Sequence, residues 1–318
     1  MRHQSQTARR ASSSRIGFVL PNGSDRLVRQ YVDAALADNT VRAYRGDLKH
    51  FFAWGGTIPA TERQVAKYLA QHATTLTSST LARHLAAITR AHRVQGFPSP
   101  CESELVHATL RGIRRAHGRP VRQVAPLLKE HLVNMVRRLK GMRGMRDRAL
   151  LLIGFPGALR RGELVGLDVE DIRFTESGVL LHLDRSKTDQ EGQGREIAIP
   201  WVRSKHCPGH ALSEWLQLAE ITTGAIFRRV NARDQVLPQR LSAQSVSLIV
   251  KQRATSIGLD PSRYSGHSLR AGFVTSATAK GASPSSIREQ TGHKTEAMMQ
   301  NYVRHSQRFV HNSNQAIW

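Results

Sequence analysis

The chain has 318 residues, 40% of them hydrophobic, which is long enough for about two domains with buried cores. Lysine and arginine number 47 against 24 acidic residues, so the formal net charge is +23. This excess predicts a polyanionic partner, nucleic acid first, although a ribosomal or packaging protein would share it. The two cysteines are too few for a disulfide framework. No apolar run reaches the ~18 residues of a membrane span, so a cytoplasmic protein is expected.

The first third of the chain has a helical pattern behind a polar start. Residues 1–24 are basic and lack the apolar core of a secretory signal, so a disordered arm is expected. Across 25–117, apolar residues recur at three-to-four spacing, which predicts a bundle of four or five helices. Ser99 and Pro100 are typical of a helix start, here for the helix that carries Leu110.

The helix faces opposite the apolar stripes carry many arginines and few acidic residues. Ordinary solvated faces are one interpretation. The arginine excess favours a DNA-facing surface instead, because phosphate contacts need cations. The residues that we assign to this surface are Arg42, Arg45, Lys49, Arg83 and Arg90.

A second domain is expected over residues 126–310, after a linker at 118–125 and before a tail at 311–318. Gly118 and Pro120 break helices and mark the linker. The hydrophobic period changes to two at 179–183 and 195–199, which predicts two strands joined by a long glycine-rich turn. Helical patterns resume after the second strand. The predicted fold is mainly α with a small antiparallel β-sheet (α+β).

Several residues in the second domain have the side chains that metal-free phosphodiester cleavage requires. A nucleophile must attack, cations must hold the non-bridging oxygens, and an acid must protonate the leaving oxygen. Arg160 and Arg270 suit the second role, because a guanidinium stays charged and binds two oxygens at once. His267 lies three residues before Arg270, so a helix places both on one face.

The acid and the nucleophile come from other segments. Lys187 lies in the turn between the two predicted strands, where it can protonate an alkoxide, and Lys205 is the alternative. Tyr302 is the candidate nucleophile, nine positions after His293. A helix-packing aromatic beside two methionines is the competing interpretation of Tyr302.

Together these residues resemble the motifs of the tyrosine recombinase family, which includes the phage integrases and the Cre and Xer enzymes. The matching stretches are Ala-Leu-Arg160-Arg-Gly-Glu163-Leu, Lys187, His267-Ser-Leu-Arg270, Gly292-His293 and Tyr302. The resemblance covers roughly residues 25–310, with a helical core-binding domain followed by a catalytic domain. Two positions depart from the family pattern: Ala158 stands where Gly is usual, and Ala271 where His is frequent. Neither departure replaces a catalytic group.

The resemblance implies a role for each residue. Tyr302 attacks the scissile phosphate and leaves a 3′-phosphotyrosyl bond with a free 5′-hydroxyl. Arg160 and Arg270 clamp the non-bridging oxygens with the help of His293. His267 helps to take up the proton of the tyrosine.

The remaining roles fall to Lys187, which protonates the leaving 5′-oxygen, and Glu163, which orients the arginine region. The covalent intermediate stores the bond energy, so no metal and no other cofactor is expected. The implied partners are double-stranded DNA and further copies of the chain, in a homotetramer that joins two DNA sites through a Holliday junction. Accessory proteins are a partner class that the sequence leaves open.

Two other functions share parts of this pattern. A type IB topoisomerase uses the same chemistry to relax DNA without strand exchange, but the helical first domain and short linker favour a recombinase. A non-catalytic DNA-binding protein of the same fold is disfavoured by the intact set of candidate residues. The target sequence, and the choice among integration, excision and resolution, depend on base contacts and DNA shape that a chain does not reveal.

Overall fold

The computed structural model describes residues 36–118, 124–183 and 194–292. Contacts divide the chain into two compact units, Met1–Val121 and Arg122–Trp318, and each has its own hydrophobic core. Helices dominate both units and the second adds small antiparallel sheets, which confirms the predicted fold class. None of the helices in these ranges combines the length and apolar character that crossing a bilayer requires.

The first unit is a helical bundle, as the apolar spacing predicts. Its buried core includes Phe51, Leu81 and Ile88, which the apolar stripes of two different segments contribute. Thr61 caps the second helix by accepting a hydrogen bond from the backbone of Gln64 at 3.2 Å. In the described part of this unit the helices are α1 (Asp38–Ala53), α2 (Glu62–Gln71), α3 (Ser78–Val94) and α4 (Glu104–His117).

The predicted start of the fourth helix at Ser99 is wrong by about one turn. Ser99 accepts from the backbone N–H of Cys101 at 3.3 Å and caps only a short 3₁₀ turn, Pro100–Glu102. Ser103 then caps α4 by accepting from the backbone N–H of Val106 at 3.4 Å. Glu104 follows Ser103 in the first turn of α4, where a carboxylate complements the helix dipole.

The second unit packs helices around two small sheets. The strands predicted at 179–183 and 195–199 pair antiparallel, with Leu181 opposite Ile197 and both buried. A third strand joins this sheet, and a separate hairpin follows, neither of which the sequence pattern predicts. The strands are β1 (Ile172–Phe174), β2 (Gly178–Leu183), β3 (Arg195–Pro200), β4 (Arg228–Val230) and β5 (Val236–Arg240).

The described helices of the second unit have the following bounds: α5 (Lys129–Val136), α6 (Gly141–Gly154), α7 (Arg161–Gly166), α8 (Pro208–Leu218), α9 (Ala243–Ser256), α10 (His267–Ala279) and α11 (Pro284–Thr291). The end of α6 is the point where α7 and α10 meet. A Cβ atom on Gly154 would lie 2.9 Å from Leu164 and 3.1 Å from Leu269, so any larger residue would force these leucine side chains to shift. The helix that follows Arg160 and the helix that carries Arg270 therefore pack against one point of the core.

The hairpin of β4 and β5 supplies a cap to a distant helix. Asp234, in its turn, accepts hydrogen bonds from the backbone N–H groups of Met142 at 2.7 Å and Arg143 at 2.9 Å. These two donors belong to the first turn of α6, where a carboxylate satisfies orphan N–H groups and complements the helix dipole. The same hydrogen bonds lower the pKa of Asp234.

Candidate active site

Arg160 stands directly before α7 and is held by a residue of that helix. Glu163 accepts from the backbone N–H of Arg160 at 2.9 Å and from its guanidinium at 2.6 Å. The glutamate side chain is only 6% exposed, whereas that of Arg160 is 20% exposed. Glu163 thus fixes the start of the helix and the direction of the arginine, which leaves part of the guanidinium open to solvent.

Arg270 reaches the same segment from α10. Its Nη1 donates to the carbonyl of Ala158 at 2.8 Å, and the residue is 4% exposed. Ala158 lies two positions before Arg160, so both candidate arginines are anchored within the stretch from Ala158 to Glu163. The sequence motifs predict that the two arginines lie together around one phosphate. The hydrogen bond brings Arg270 to this segment across 112 positions of the chain.

Ala158 has a left-handed backbone, with φ of 47°. This conformation is readily adopted by glycine and is strained for alanine. The difference accounts for the glycine that is usual at this position in the family that the motifs resemble. The alanine is fully buried, so its methyl group gains packing contacts that glycine lacks. The departure at this position is therefore compatible with the turn that presents Arg160.

His267 is the first residue of α10 and its side chain is exposed. Its backbone N–H donates to the hydroxyl of Ser265 at 3.2 Å, and Ser268 accepts from the backbone of Ser265 at 3.0 Å. These bonds fix the turn before the helix. The helix places His267 and the buried Arg270 one turn apart, as predicted.

The last described helix, α11, ends immediately before His293. Gly292 closes it in the left-handed conformation, with φ of 63°, and its N–H donates to the carbonyl of Arg288 at 2.7 Å. Gln290 anchors this end by donating to the carbonyls of Pro156 at 2.8 Å and Ala198 at 3.3 Å. The segment that precedes His293 is therefore tied both to the loop before Arg160 and to β3.

Arg195, the first residue of β3, connects these parts of the site. One guanidinium nitrogen donates to Glu163 at 3.3 Å and another to the backbone carbonyl of Gln290 at 3.3 Å. Burial lowers the pKa of Arg195, and the neighbouring Glu163 opposes that shift. The carboxylate of Glu163 consequently forms salt bridges with two arginines, Arg160 and Arg195.

Three of the predicted catalytic residues, Lys187, His293 and Tyr302, lie outside the described residues. Their assignments stay predictions. Leu183 and Arg195, which pair across the sheet, flank the stretch that contains Lys187. Lys205, the alternative acid, lies between β3 and α8, where its backbone carbonyl accepts from Arg148 at 2.7 Å.

The candidate DNA-binding residues of the first unit fall into two groups. Arg42, Arg45 and Lys49 are exposed and recur along α1 at spacings of three and four, which places them on one face. Arg83 donates two hydrogen bonds, each of 2.8 Å, to the buried carboxylate of Asp47. Much of its charge is therefore balanced within the unit. The fifth candidate, on α3, is the half-buried Arg90.

The sequence motifs assign no role to Arg195, Gln290 or Arg240, which hold the site together. Arg240 donates to the carbonyls of Val165 and Gly166, each at 2.8 Å, and so caps the C-terminal end of α7. One signal for Arg195 is present in the sequence, because it is the first residue of a predicted strand after the turn that contains Lys187. No local sequence pattern predicts the contacts of Gln290 and Arg240, because their acceptors lie far away along the chain.

The chain matches the family model described as "Phage integrase family" over residues 127–308, and the model "Phage integrase, N-terminal SAM-like domain" over residues 29–94. It is 36% identical over 296 residues to an integrase/recombinase xerD homolog of Selenomonas ruminantium, covering 90% of this chain and 87% of that protein.

Two solved structures share the fold. A lambda integrase dimer bound to a COC′ core site has a TM-score of 0.61 and 17% identity, covering 88% of this chain and 75% of that chain. A lambda integrase tetramer bound to a Holliday junction has a TM-score of 0.56 and 19% identity, covering 84% of this chain and 72% of that chain.

The first family model covers more than half of the chain, and the bacterial relative is similar over most of its length. The chain therefore belongs to the phage integrase family, the tyrosine recombinases that its motifs resemble. The predicted enzyme class, a site-specific tyrosine recombinase that breaks and rejoins DNA strands, is confirmed by this membership.

Proposed function

We propose that Tyr302 attacks a scissile phosphate held by Arg160, Arg270 and His293. The attack breaks the bond to the 5′-oxygen and forms a 3′-phosphotyrosyl bond, and the leaving oxygen takes a proton from Lys187. His267 takes up the phenolic proton. Two fixed guanidiniums stabilise the charge on the non-bridging oxygens, because charge-assisted contacts in a partly buried site are strong and geometrically specific.

One observation carries this proposal. Arg160 directly precedes α7 and is held by Glu163 of that helix, and Arg270 reaches from α10 to the carbonyl of Ala158, two positions before Arg160. An ordinary surface arginine that contacts DNA needs no such anchoring. Arginines held in this way can meet a phosphate without reorganising, which is the requirement for stabilising a transition state.

We also propose the division of labour along the chain. Residues 25–117 hold the DNA core site through Arg42, Arg45, Lys49, Arg83 and Arg90, while 126–310 carry the chemistry and 118–125 link the two. Four copies act on two DNA sites through a Holliday junction. The multimeric DNA complexes of the lambda integrase support this assembly. Because the substrate is DNA, we place the reaction in the cytoplasm, with accessory proteins as additional candidates for partners.

Covalent trapping tests the nucleophile. Fragments of the DNA that flanks the gene of this chain are incubated with protein, denatured and digested with protease, and the protein-linked 3′ ends are sequenced. A nicked suicide duplex is then built on the mapped phosphate. The wild-type chain should accumulate the adduct, and Tyr302→Phe should form none, because the phenyl ring has no oxygen to attack with.

Tyr264→Phe is the matched control, since it removes a hydroxyl from a buried tyrosine of the same unit and should leave the adduct unchanged. An adduct that persists in Tyr302→Phe disproves the assignment of the nucleophile. Relaxation of supercoiled plasmid without any specific site and without exchange products would instead indicate a type IB topoisomerase.

A further inference from the structure

We propose that Arg195 is a positioning residue for the catalytic centre. It joins the helix that holds Arg160 to the helix end that delivers His293, and so sets where His293 meets the phosphate. This inference rests on the proposed function, because it takes His293 as a ligand of the phosphate. Arg195 acts through its neighbours.

The contacts of Arg195 span three segments that are distant in sequence. Its hydrogen bond to Glu163 crosses 32 positions, and its bond to the carbonyl of Gln290 crosses 95. Glu163 lies in the first turn of the helix that follows Arg160, and Gln290 lies in the last turn of the helix that precedes His293. Its side chain is 16% exposed, so the packing around it restricts the rotamers that it can adopt.

The glycine at position 292 allows Arg195 to lie against the helix end in its observed position. A Cβ atom on Gly292 would lie 2.4 Å from Nη1 of Arg195 and 3.0 Å from its Cζ. The left-handed backbone of Gly292 also disfavours any residue with a side chain. The guanidinium therefore packs directly against the backbone turn from which His293 follows.

The charge arrangement gives Arg195 a second effect, on Arg160. Glu163 is 6% exposed, and among the described residues its carboxylate is salt-bridged by Arg160 and Arg195. Removal of Arg195 leaves this buried carboxylate with Arg160 as its remaining cation in that set. The pull of Glu163 on Arg160 then increases, which competes with the phosphate for the same guanidinium.

The experiment compares Arg195→Ala and Arg195→Lys with the wild-type chain on the suicide duplex mapped above. A shift of about 1 Å in a catalytic group costs about 100-fold in rate, so single-turnover cleavage by Arg195→Ala should fall by about that factor. Its dissociation constant for the duplex should stay within about threefold, because affinity depends on many other phosphate contacts. The lysine variant should recover part of the rate, since an ammonium can reach one of the two acceptors.

Arg173→Ala is the matched control. Arg173 lies in β1 of the same sheet, is 67% exposed and contacts Glu196 at 3.5 Å, so its removal costs one positive charge without touching the site. It should cleave at the wild-type rate. The melting temperature of each variant is recorded, and only variants that are folded at the assay temperature are compared.

Two further measurements separate positioning from loss of structure. Millimolar guanidinium should partly restore cleavage by Arg195→Ala and should leave the wild-type rate unchanged. Gly292→Ala should be slow in the wild-type background. It should cost less in the Arg195→Ala background, because the added methyl group then has no guanidinium to displace.

The following results would contradict the positioning role of Arg195 or the proposed function. A wild-type rate in Arg195→Ala, or strictly additive effects of the two substitutions, overturns the positioning role. DNA affinity that falls in parallel with cleavage also overturns it and makes Arg195 an ordinary phosphate contact. If the wild-type chain itself forms no adduct, the proposed function fails instead, which is a different outcome from the failure of this inference.

Discussion

Ala158 combines a strained backbone with full burial, and these two effects oppose each other when it is replaced. Ala158→Gly relieves a left-handed conformation that costs about 1–2 kcal/mol. It also loses about 0.8 kcal/mol of methyl burial and increases the entropy of the unfolded chain by about 0.5–1 kcal/mol. The free energy of unfolding should therefore stay close to the wild-type value, as measured by urea denaturation.

Ala149→Gly is the control for Ala158→Gly. Ala149 is equally buried but lies within α6, where no left-handed strain offsets the loss. This variant should lose about 1–2 kcal/mol. Equal losses at the two positions would show that the backbone of Ala158 is not strained.

For single residues, the sequence identifies those whose types and spacings belong to a motif. It misses those whose contacts are made with residues far away in the sequence. Arg160, Glu163, His267 and Arg270 are found because the motif fixes their order along the chain. Arg195 is missed because its two acceptors lie 32 and 95 positions away, and only the folded chain shows which carbonyl meets which guanidinium.

Among the elements, α1 and α3 are joined by a buried polar network whose charge depends on pH. His84, which is 4% exposed, contacts the carboxylate of Asp47 at 3.0 Å and the hydroxyl of Tyr68 at 2.5 Å. Burial lowers the pKa of His84, and Asp47 partly opposes this. Titratable groups that face this histidine are Asp47, His50, Tyr68, His72 and Arg83.

The sign of the pH effect follows from the lowered pKa. Between the unfolded pKa of about 6.5 and the lower folded value, the unfolded chain binds more protons, so stability decreases as pH falls. The melting temperature of the first unit should therefore fall between pH 7.5 and 5.5, and it should fall less in His84→Gln. The lowered pKa of His72 has the same sign, so some dependence should remain. Thermal unfolding of the full chain, followed by circular dichroism, measures this.

His107→Gln serves as the control for the pH effect, because His107 is exposed on α4 and is not among the groups that shift the pKa of His84. It should keep the wild-type dependence. If the melting temperature of His84→Gln depends on pH as strongly as that of the wild-type chain, the buried histidine is not the cause of the dependence.

Elements with a regular apolar period are the ones that the sequence predicts well. The strands at 179–183 and 195–199 and the helices of the first unit follow directly from such periods. The hairpin of β4 and β5 is not predicted, because Pro238 interrupts β5 and its residues are mostly exposed or half-buried, which gives no alternation. The start of α4 is misplaced because two serines, Ser99 and Ser103, both have cap character, and only packing decides between them.

For the molecule as a whole, the net charge of +23 predicts DNA binding that depends strongly on salt. Each phosphate contact contributes about 0.9 to the slope of log K against log salt concentration. Replacement of Arg42, Arg45 and Lys49 by alanine should therefore reduce the slope by up to about 2.7. Titration of a fluorescent duplex of arbitrary sequence at several salt concentrations measures the slope.

A double variant of Arg63 and Lys67, which are exposed on α2, is the control for charge loss in the same unit. It should change the slope less per charge removed than the triple variant. If both variants change the slope equally per charge, the face of α1 has no special part in binding and only the overall charge matters.

The turn of the β4–β5 hairpin has a consequence for engineering the protein. A short hairpin with an exposed tip invites the insertion of an epitope tag or a fluorescent reporter, since loop tips usually tolerate added residues. Here Asp234 in that tip caps α6, and α6 ends at the glycine where α7 and α10 meet. A reporter inserted between Asn231 and Gln235 would displace this carboxylate and loosen the helix that supports both arginines. The bend at Gly96, on the surface of the first unit, has open space around it and is the better site for such a reporter.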